Sequence, residues 1–233
     1  MNQEVEDHAS ERLIQVTIGP VTLEGNMYVP ADARGIVLFA HGSGSSRHSP
    51  RNRFVAGVLQ NGGLATLLID LLTSDEERID ARTAHLRFDI GLLAGRLTGA
   101  AAWLKQQPDT RDLLIGCFGA STGGGAALLM AAQYPDLVDA VVSRGGRPDL
   151  AGPALPRVKA PTLLIVGGED MPVIRMNEEA FAQLHCEKRL EIVPGATHLF
   201  EEPGTLEQVA RLARDWFSHY LVLGAQQRAL GQP

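Results

Sequence analysis

Apolar and polar residues alternate along residues 12–18 and again along 21–29, with Gly19-Pro20 between them. This pattern predicts an antiparallel hairpin at the edge of a sheet. Beyond the hairpin the pattern changes. Residues 35–40 and 64–72 form nearly continuous apolar runs, as expected of parallel strands covered on both faces. Runs at 113–118, 138–143, 162–166 and 190–193 predict four more strands. Helical segments fall between them, at 51–60 (stopped by Asn61-Gly62-Gly63), at 88–107 (ended by Pro108), after Gly123, at 176–184, and in an amphipathic closing helix over 206–221. Residues 73–87 are polar and charged with little period, and read as a loop with a helical turn. Strands that alternate with helices imply an α/β fold: a mostly parallel central sheet of about eight strands, helices on both faces, and the antiparallel hairpin at its start. No long insertion separates the later strands, so a cap is expected to be minimal or absent.

The length of 233 residues suits one α/β domain, expected over 12–222, with tails at 1–11 and 223–233. A hydrophobic content of 45% is enough to fill a core. The formal charge of −6 is spread along the chain without a basic cluster, which argues against nucleic acid as a partner. No apolar stretch reaches the roughly 18 residues of a membrane span, and the polar, acidic start is unlike a signal peptide. A cytoplasmic location is the expectation. The two cysteines stand far apart, and Cys117, inside a predicted strand, reads as a buried free thiol.

The candidate chemistry begins at Gly119-Ala120-Ser121-Thr122-Gly123, a Gly-x-Ser-x-Gly between an apolar run and a small-residue helix. A strand that turns sharply into a helix strains the turn residue and holds its hydroxyl out at the carboxyl end of the sheet; small neighbours let strand and helix approach. The competing reading is a glycine-rich turn whose serine caps the following helix. A serine hydroxyl needs a base to take its proton and a third group to orient that base. Two later runs each end in a suitable residue: 162–166 leads into Gly167-Gly168-Glu169-Asp170, and 189–193 leads into Pro194-Gly195-Ala196-Thr197-His198. Asp170 could instead cap a helix ahead of Met171-Pro172, and Glu169 is the rival acid.

With His41-Gly42-Ser43-Gly44 after the 35–40 run, these motifs together make the chain similar to the α/β-hydrolase superfamily. Within it the chain resembles the dienelactone-hydrolase-like branch of small, lidless hydrolases over roughly residues 12–221. The resemblance implies Ser121 as nucleophile, His198 as base and Asp170 as the acid that orients it. It implies an oxyanion hole from the backbone N–H groups of Thr122 and Ser43, with Gly42 as a permissive neighbour, and His41 as a structural hydrogen-bonding group beneath the loop. Dienelactone hydrolases proper carry cysteine at the elbow. Here it is serine, with Cys117 back in the strand, so the ester- and thioester-cleaving members are the better analogy.

The expected activity is hydrolysis of a small ester, thioester or lactone through an acyl-enzyme. Acyl transfer by the same three residues, or a silent hydrolase-fold binding protein, are the alternatives. Arg47 with His48, and Arg144 with Arg147, fall near the same rim, where a guanidinium could grip a substrate carboxylate or phosphate. The favoured competing reading is that these arginines tie loops to acids such as Asp149 or Asp75. His85 and Arg87 could also rim the pocket. Neither the histidines nor the cysteines have metal-ligand spacing, and no glycine pattern fits a phosphate loop or a dinucleotide site, so no metal or organic cofactor is expected.

Overall fold

A computed structural model of the chain describes residues 11–223. The expected tails at 1–11 and 223–233 lie outside the described residues apart from Glu11 and Leu223. The chain runs β1 (Arg12–Ile18), β2 (Val21–Tyr28), β3 (Ile36–Ala40), α1 (Pro50–Asn61), β4 (Ala65–Ile69), α2 (Ser74–Thr83), α3 (Ile90–Leu104), β5 (Ile115–Ala120), α4 (Thr122–Gln133), β6 (Ala140–Arg144), β7 (Thr162–Gly167), α5 (Met171–Gln183), β8 (Lys188–Val193) and α6 (Thr205–Phe217). Segments of 3-10 helix, Leu86–Phe88 and Pro148–Arg157, join some of these elements.

The strands form one eight-stranded sheet in the order β1-β2-β4-β3-β5-β6-β7-β8. The hairpin pairs antiparallel, β2 pairs antiparallel with β4, and the remaining neighbours are parallel. The central strands are apolar along their length because both faces are covered. Leu38 and Cys117 point into a core completed by Leu93 and Leu97 of α3, Leu128 of α4 and Ala180 of α5. Phe39 and Phe118 point the other way, their ring centroids 5.0 Å apart, into a core closed by Leu59 of α1 and Val209 and Phe217 of α6.

The strand order positions the site. From β3 the chain crosses to β4 on one side, then returns past β3 to β5 on the other. Such a reversal opens a crevice beyond the carboxyl ends of the two adjacent strands. His41 and Gly42 leave β3 there, and Ser121 leaves β5 there.

Three local expectations are corrected. Residues 73–87 are not a loop: Ser74–Thr83 forms a full helix. Thr73 Oγ1 accepts from the Glu76 N–H, while the Glu76 carboxylate accepts from the Thr73 N–H. This reciprocal cap nucleates a helix that lacks an apolar stripe because only Asp80 on it is buried. Second, α5 begins at Met171 rather than near residue 176, with Pro172 in its first turn, where a missing N–H costs nothing. Third, residues 148–157, assigned to no element from the sequence, wind as 3-10 helix broken at Gly152 and interrupted by Pro153 and Pro156. Among the described residues no helix is long and apolar enough to cross a membrane.

Candidate active site

Ser121 has φ +50° and ψ −121°, a backbone conformation rare for any residue with a side chain. Holding it there costs about 1–3 kcal/mol, so the surroundings must enforce it. They do so by close approach. A Cβ on Gly119 would come within 2.5 Å of the Gly123 carbonyl oxygen, and one on Gly123 would overlap the Ala40 carbonyl. Only glycine lets β5, α4 and β3 meet at this distance. Ser121 occupies the cap position of α4, yet its side chain makes no capping hydrogen bond. Ser121 instead lines a cavity of about 180 Å³ together with His198.

Asp170 likewise stands at the cap position of α5 without capping it. Its carboxylate lies 2.6 Å from His198 Nδ1. The side chain of Asp170 is 14% exposed and that of His198 is 39% exposed, so the ring sits at the rim with its partner beneath. The rival acid, Glu169, is held by its backbone, which donates to the Ala196 carbonyl, and its side chain forms no bond to the ring. Three elements separated along the chain thus bring Ser121, Asp170 and His198 to one edge. Among the described residues no hydrogen bond joins Ser121 Oγ to the imidazole; such bonds commonly tighten only when substrate is bound.

The loop after β3 is braced from below. His41 Nε2 accepts from the Leu71 N–H at 3.0 Å, which leaves Nδ1 as the protonated nitrogen, 3.0 Å from the Gly42 carbonyl. A Cβ on Gly42 would press on Ser121 Cβ at 3.0 Å. Ser43 Oγ lies 3.1 Å from Thr122 Oγ1, joining the loop to the first residue of α4. Among the described residues neither the Ser43 nor the Thr122 N–H donates to a backbone carbonyl outside the regular elements. On the far side of this loop a larger cavity of about 520 Å³ opens toward α2, lined by His48, Glu77, Asp80 and Arg87. Partial desolvation at the cavity edge, aided by the nearby Asp70 charge, raises the Glu77 pKa. Asp80 is lowered: burial opposes its charge, but hydrogen bonds from Arg87 outweigh it.

The arginines divide. Arg47 is fully engaged, with its guanidinium on Asp70, Asn26 and Glu24. Arg147 forms a fork on Asp149 at 2.7 and 2.8 Å, and His85 contacts Thr83. Arg144 is different. It ends β6 beside Ala120, is 7% exposed, and lines the small cavity with Ser121 and His198. Sequence reasoning passed over Arg51 and Asn52, which line this cavity from the first turn of α1. The signal was present, because a helix that follows a parallel strand starts at the strand's carboxyl edge, and Pro50 marks that start. Cys117 is wholly buried, and burial with the Asp139 charge pushes its thiol up to about 12, which keeps it protonated. Among the described residues no cluster of three His, Cys, Asp or Glu could hold a metal ion.

Comparison with known proteins agrees with this architecture. A dienelactone hydrolase from Anabaena variabilis has a solved structure that superposes with a TM-score of 0.90 at 68% identity, covering 91% of this chain and 99% of that one. Est1E from Butyrivibrio proteoclasticus shares the fold at a TM-score of 0.75 and 14% identity, covering 89% and 98%. A dienelactone hydrolase-like promiscuous phosphotriesterase from metagenomic libraries does so at 0.74 and 18%, covering 91% and 98%. Two strains of Mycobacterium tuberculosis encode proteins provisionally named phosphoribosyl transferases that are 61% identical over 208 residues. The match takes in 89% of this chain but 46% of theirs, so the chain spans about half the length of these relatives. The family model described as the dienelactone hydrolase family matches residues 23–222, and the chain belongs to that family.

Proposed function

We propose that the protein is a serine hydrolase that cleaves small carboxylic esters, thioesters or lactones through an acyl-enzyme on Ser121. The observation that carries this reading is the 2.6 Å bond between Asp170 and His198 at the rim of the cavity that Ser121 lines. With Nδ1–H donated to Asp170, His198 presents Nε2 as a base. Ser121 Oγ attacks the acyl carbonyl as His198 takes its proton, and the oxyanion forms between the Ser43 and Thr122 N–H groups. Each such donor is typically worth about 3–4 kcal/mol in the transition state. Collapse breaks the bond to the leaving group, which receives the proton from His198. Water then attacks the acyl-serine with His198 again as base, releasing the acid and restoring Ser121. Asp170 keeps the ring in its tautomer and stabilises the transient imidazolium.

A fluorophosphonate probe tests the assignment. It is expected to label the folded protein, and Ser121→Ala to abolish labelling; a well-folded wild type that resists the probe overturns the reading. A panel of p-nitrophenyl esters, acyl-coenzyme A thioesters and lactones then identifies the acyl donor. A second reading, transfer of the acyl group to an alcohol or peroxide instead of water, uses the same residues. Product partitioning in the presence of added acceptor alcohols separates the two.

A further inference from the structure

Arg144 is an anomaly in the energetics of this fold. Arg96, equally buried, pairs with Glu76 at 2.7 Å, and Arg47 and Arg87 hold Asp70 and Asp80. Among the described residues no carboxylate and no hydrogen-bond acceptor reaches the Arg144 guanidinium, and its Nε is wholly buried without a partner. The Phe200 ring lies 5.7 Å from the guanidinium carbon. The second cation in the same cavity repeats the pattern. Arg51 Nε is also buried and unpartnered, and its only acid, Glu201, is 3.2 Å away with a side chain 63% exposed. The two arginines disfavour each other: burial, then the Arg51 charge, lowers the Arg144 pKa to about 10. Asn52 lines the same wall. Unpaired buried donors of this kind cost stability unless something that binds repays them.

The cavity is continuous with the reaction site. Ser121, His198, Arg144 and Arg51 all line it. A molecule whose reacting carbonyl lies at Ser121 can therefore place a charged end against Arg144 and Arg51. Arg144 has no acid among the described residues and Arg51 has one on the exposed side, so this wall stays cationic and rich in unused N–H donors. A phosphate monoester offers three acceptor oxygens that two planar, forked donors can share, more than the two of a carboxylate.

We propose that Arg144 and Arg51 bind a phosphate group of the substrate, so that the preferred donor is a small ester or thioester carrying a phosphate monoester near the bond that is cleaved. This rests on the serine-hydrolase reading for its reaction but not for its anion site, and the two are tested apart. Inorganic phosphate, at constant ionic strength set with chloride, is expected to inhibit p-nitrophenyl acetate turnover competitively and to raise the melting temperature. Propionate is expected to do neither at the same concentration. Arg144→Met is expected to weaken phosphate inhibition by about 10-fold or more, and Arg144→Lys, which keeps the charge but not the fork, by less. With 2-phosphoethyl acetate against 2-hydroxyethyl acetate, the wild type is expected to favour the phosphorylated ester by about 10–100-fold in kcat/KM, and Arg144→Met to lose that ratio.

Phosphate that neither inhibits nor stabilises, equal phosphate response in wild type and folded Arg144→Met, or propionate binding as well as phosphate would each overturn the proposal. If the fluorophosphonate labels Ser121 while phosphate has no effect, the anion site fails and the hydrolase reading stands. If phosphate stabilises through Arg144 while the probe finds no reactive serine, the hydrolase reading fails and the anion site stands.

Discussion

Asp170 stands where it should cap α5, yet its carboxylate turns away from the helix and meets His198 Nδ1 at 2.6 Å. The cap bond that it forgoes is typically worth about 1 kcal/mol, so the pairing with His198 is made at some cost to the helix. Asp170→Asn removes the charge and favours the wrong ring tautomer. We expect kcat to fall by about 10³–10⁴ with little change in melting temperature. Glu169→Gln is expected to leave kcat within a few-fold. Steady-state kinetics on one p-nitrophenyl ester, with a thermal melt of each variant, checks both.

Ser121→Ala and His198→Ala are each expected to lower kcat by about 10⁴–10⁶, and the double variant to lose little more, because residues that act as a unit do not contribute additively. Near-normal turnover by purified Ser121→Ala, free of contaminating esterase, would remove the nucleophile assignment.

The elbow glycines should tolerate nothing larger. In Gly123→Ala the new methyl overlaps the Ala40 carbonyl, and the backbone there cannot move without disturbing β3. A loss of about 3 kcal/mol or more is expected in urea denaturation. Gly57, in the middle of α1 with nothing within 4 Å of an added Cβ, gives the opposite sign: Gly57→Ala should gain about 0.5–1 kcal/mol.

Two arginines of similar burial should respond in opposite directions. Arg47→Ala strands the Asp70 carboxylate, whose side chain is 12% exposed, and is expected to cost about 3 kcal/mol. Arg144→Met removes a buried cation that has no acid and fills its volume with apolar atoms. It is expected to raise stability by about 1–4 kcal/mol at neutral pH. The pKa of Arg144, lowered from 12.5 to about 10, has the same sign. Differential scanning calorimetry of the three proteins decides the matter.

The contacts of α2 should carry a pH signature. The folded-state pKa of Asp80 lies below its ordinary value of 3.8, so its bond to Arg87 stabilises the fold fully above that value and is lost as pH falls through the lower one. The stability gap between wild type and Arg87→Ala should therefore close on acidification below about pH 4. Glu77 has the opposite sign. Its pKa is raised above 4.5, so its contribution is complete in acid and declines as pH rises through the folded value. Glu77→Gln is expected to be stabilising at pH 7 and neutral at pH 4. Urea titrations at a series of pH values test both.

The succession of strands along the chain, the strand-to-helix turn at Ser121 and the placement of Asp170 and His198 just past strand ends were legible in the sequence; the order of the strands within the sheet was not. Each legible feature is written locally, as an apolar run covered on both faces or a turn residue flanked by glycines. The start of α2 was missed: residues 73–87 read as a loop because no apolar stripe follows Thr73-Ser74-Asp75-Glu76. Helix periodicity reports burial, and α2 buries almost nothing.

Sequence alone thus determined the α/β class, the eight strands and the three residues to compare, because periodicity and turn chemistry act between near neighbours. Tertiary structure decided the partners. Arg47 and Arg144 look equivalent along the chain, each just beyond or at the end of a strand. Folding brings Asp70 on the adjacent strand's exit to Arg47, and brings Phe200 and another cation, but no acid among the described residues, to Arg144. Charge pairing is a property of distance in space, set here by the return of the chain across β3, and no local pattern encodes which cation that crossing leaves without an acid.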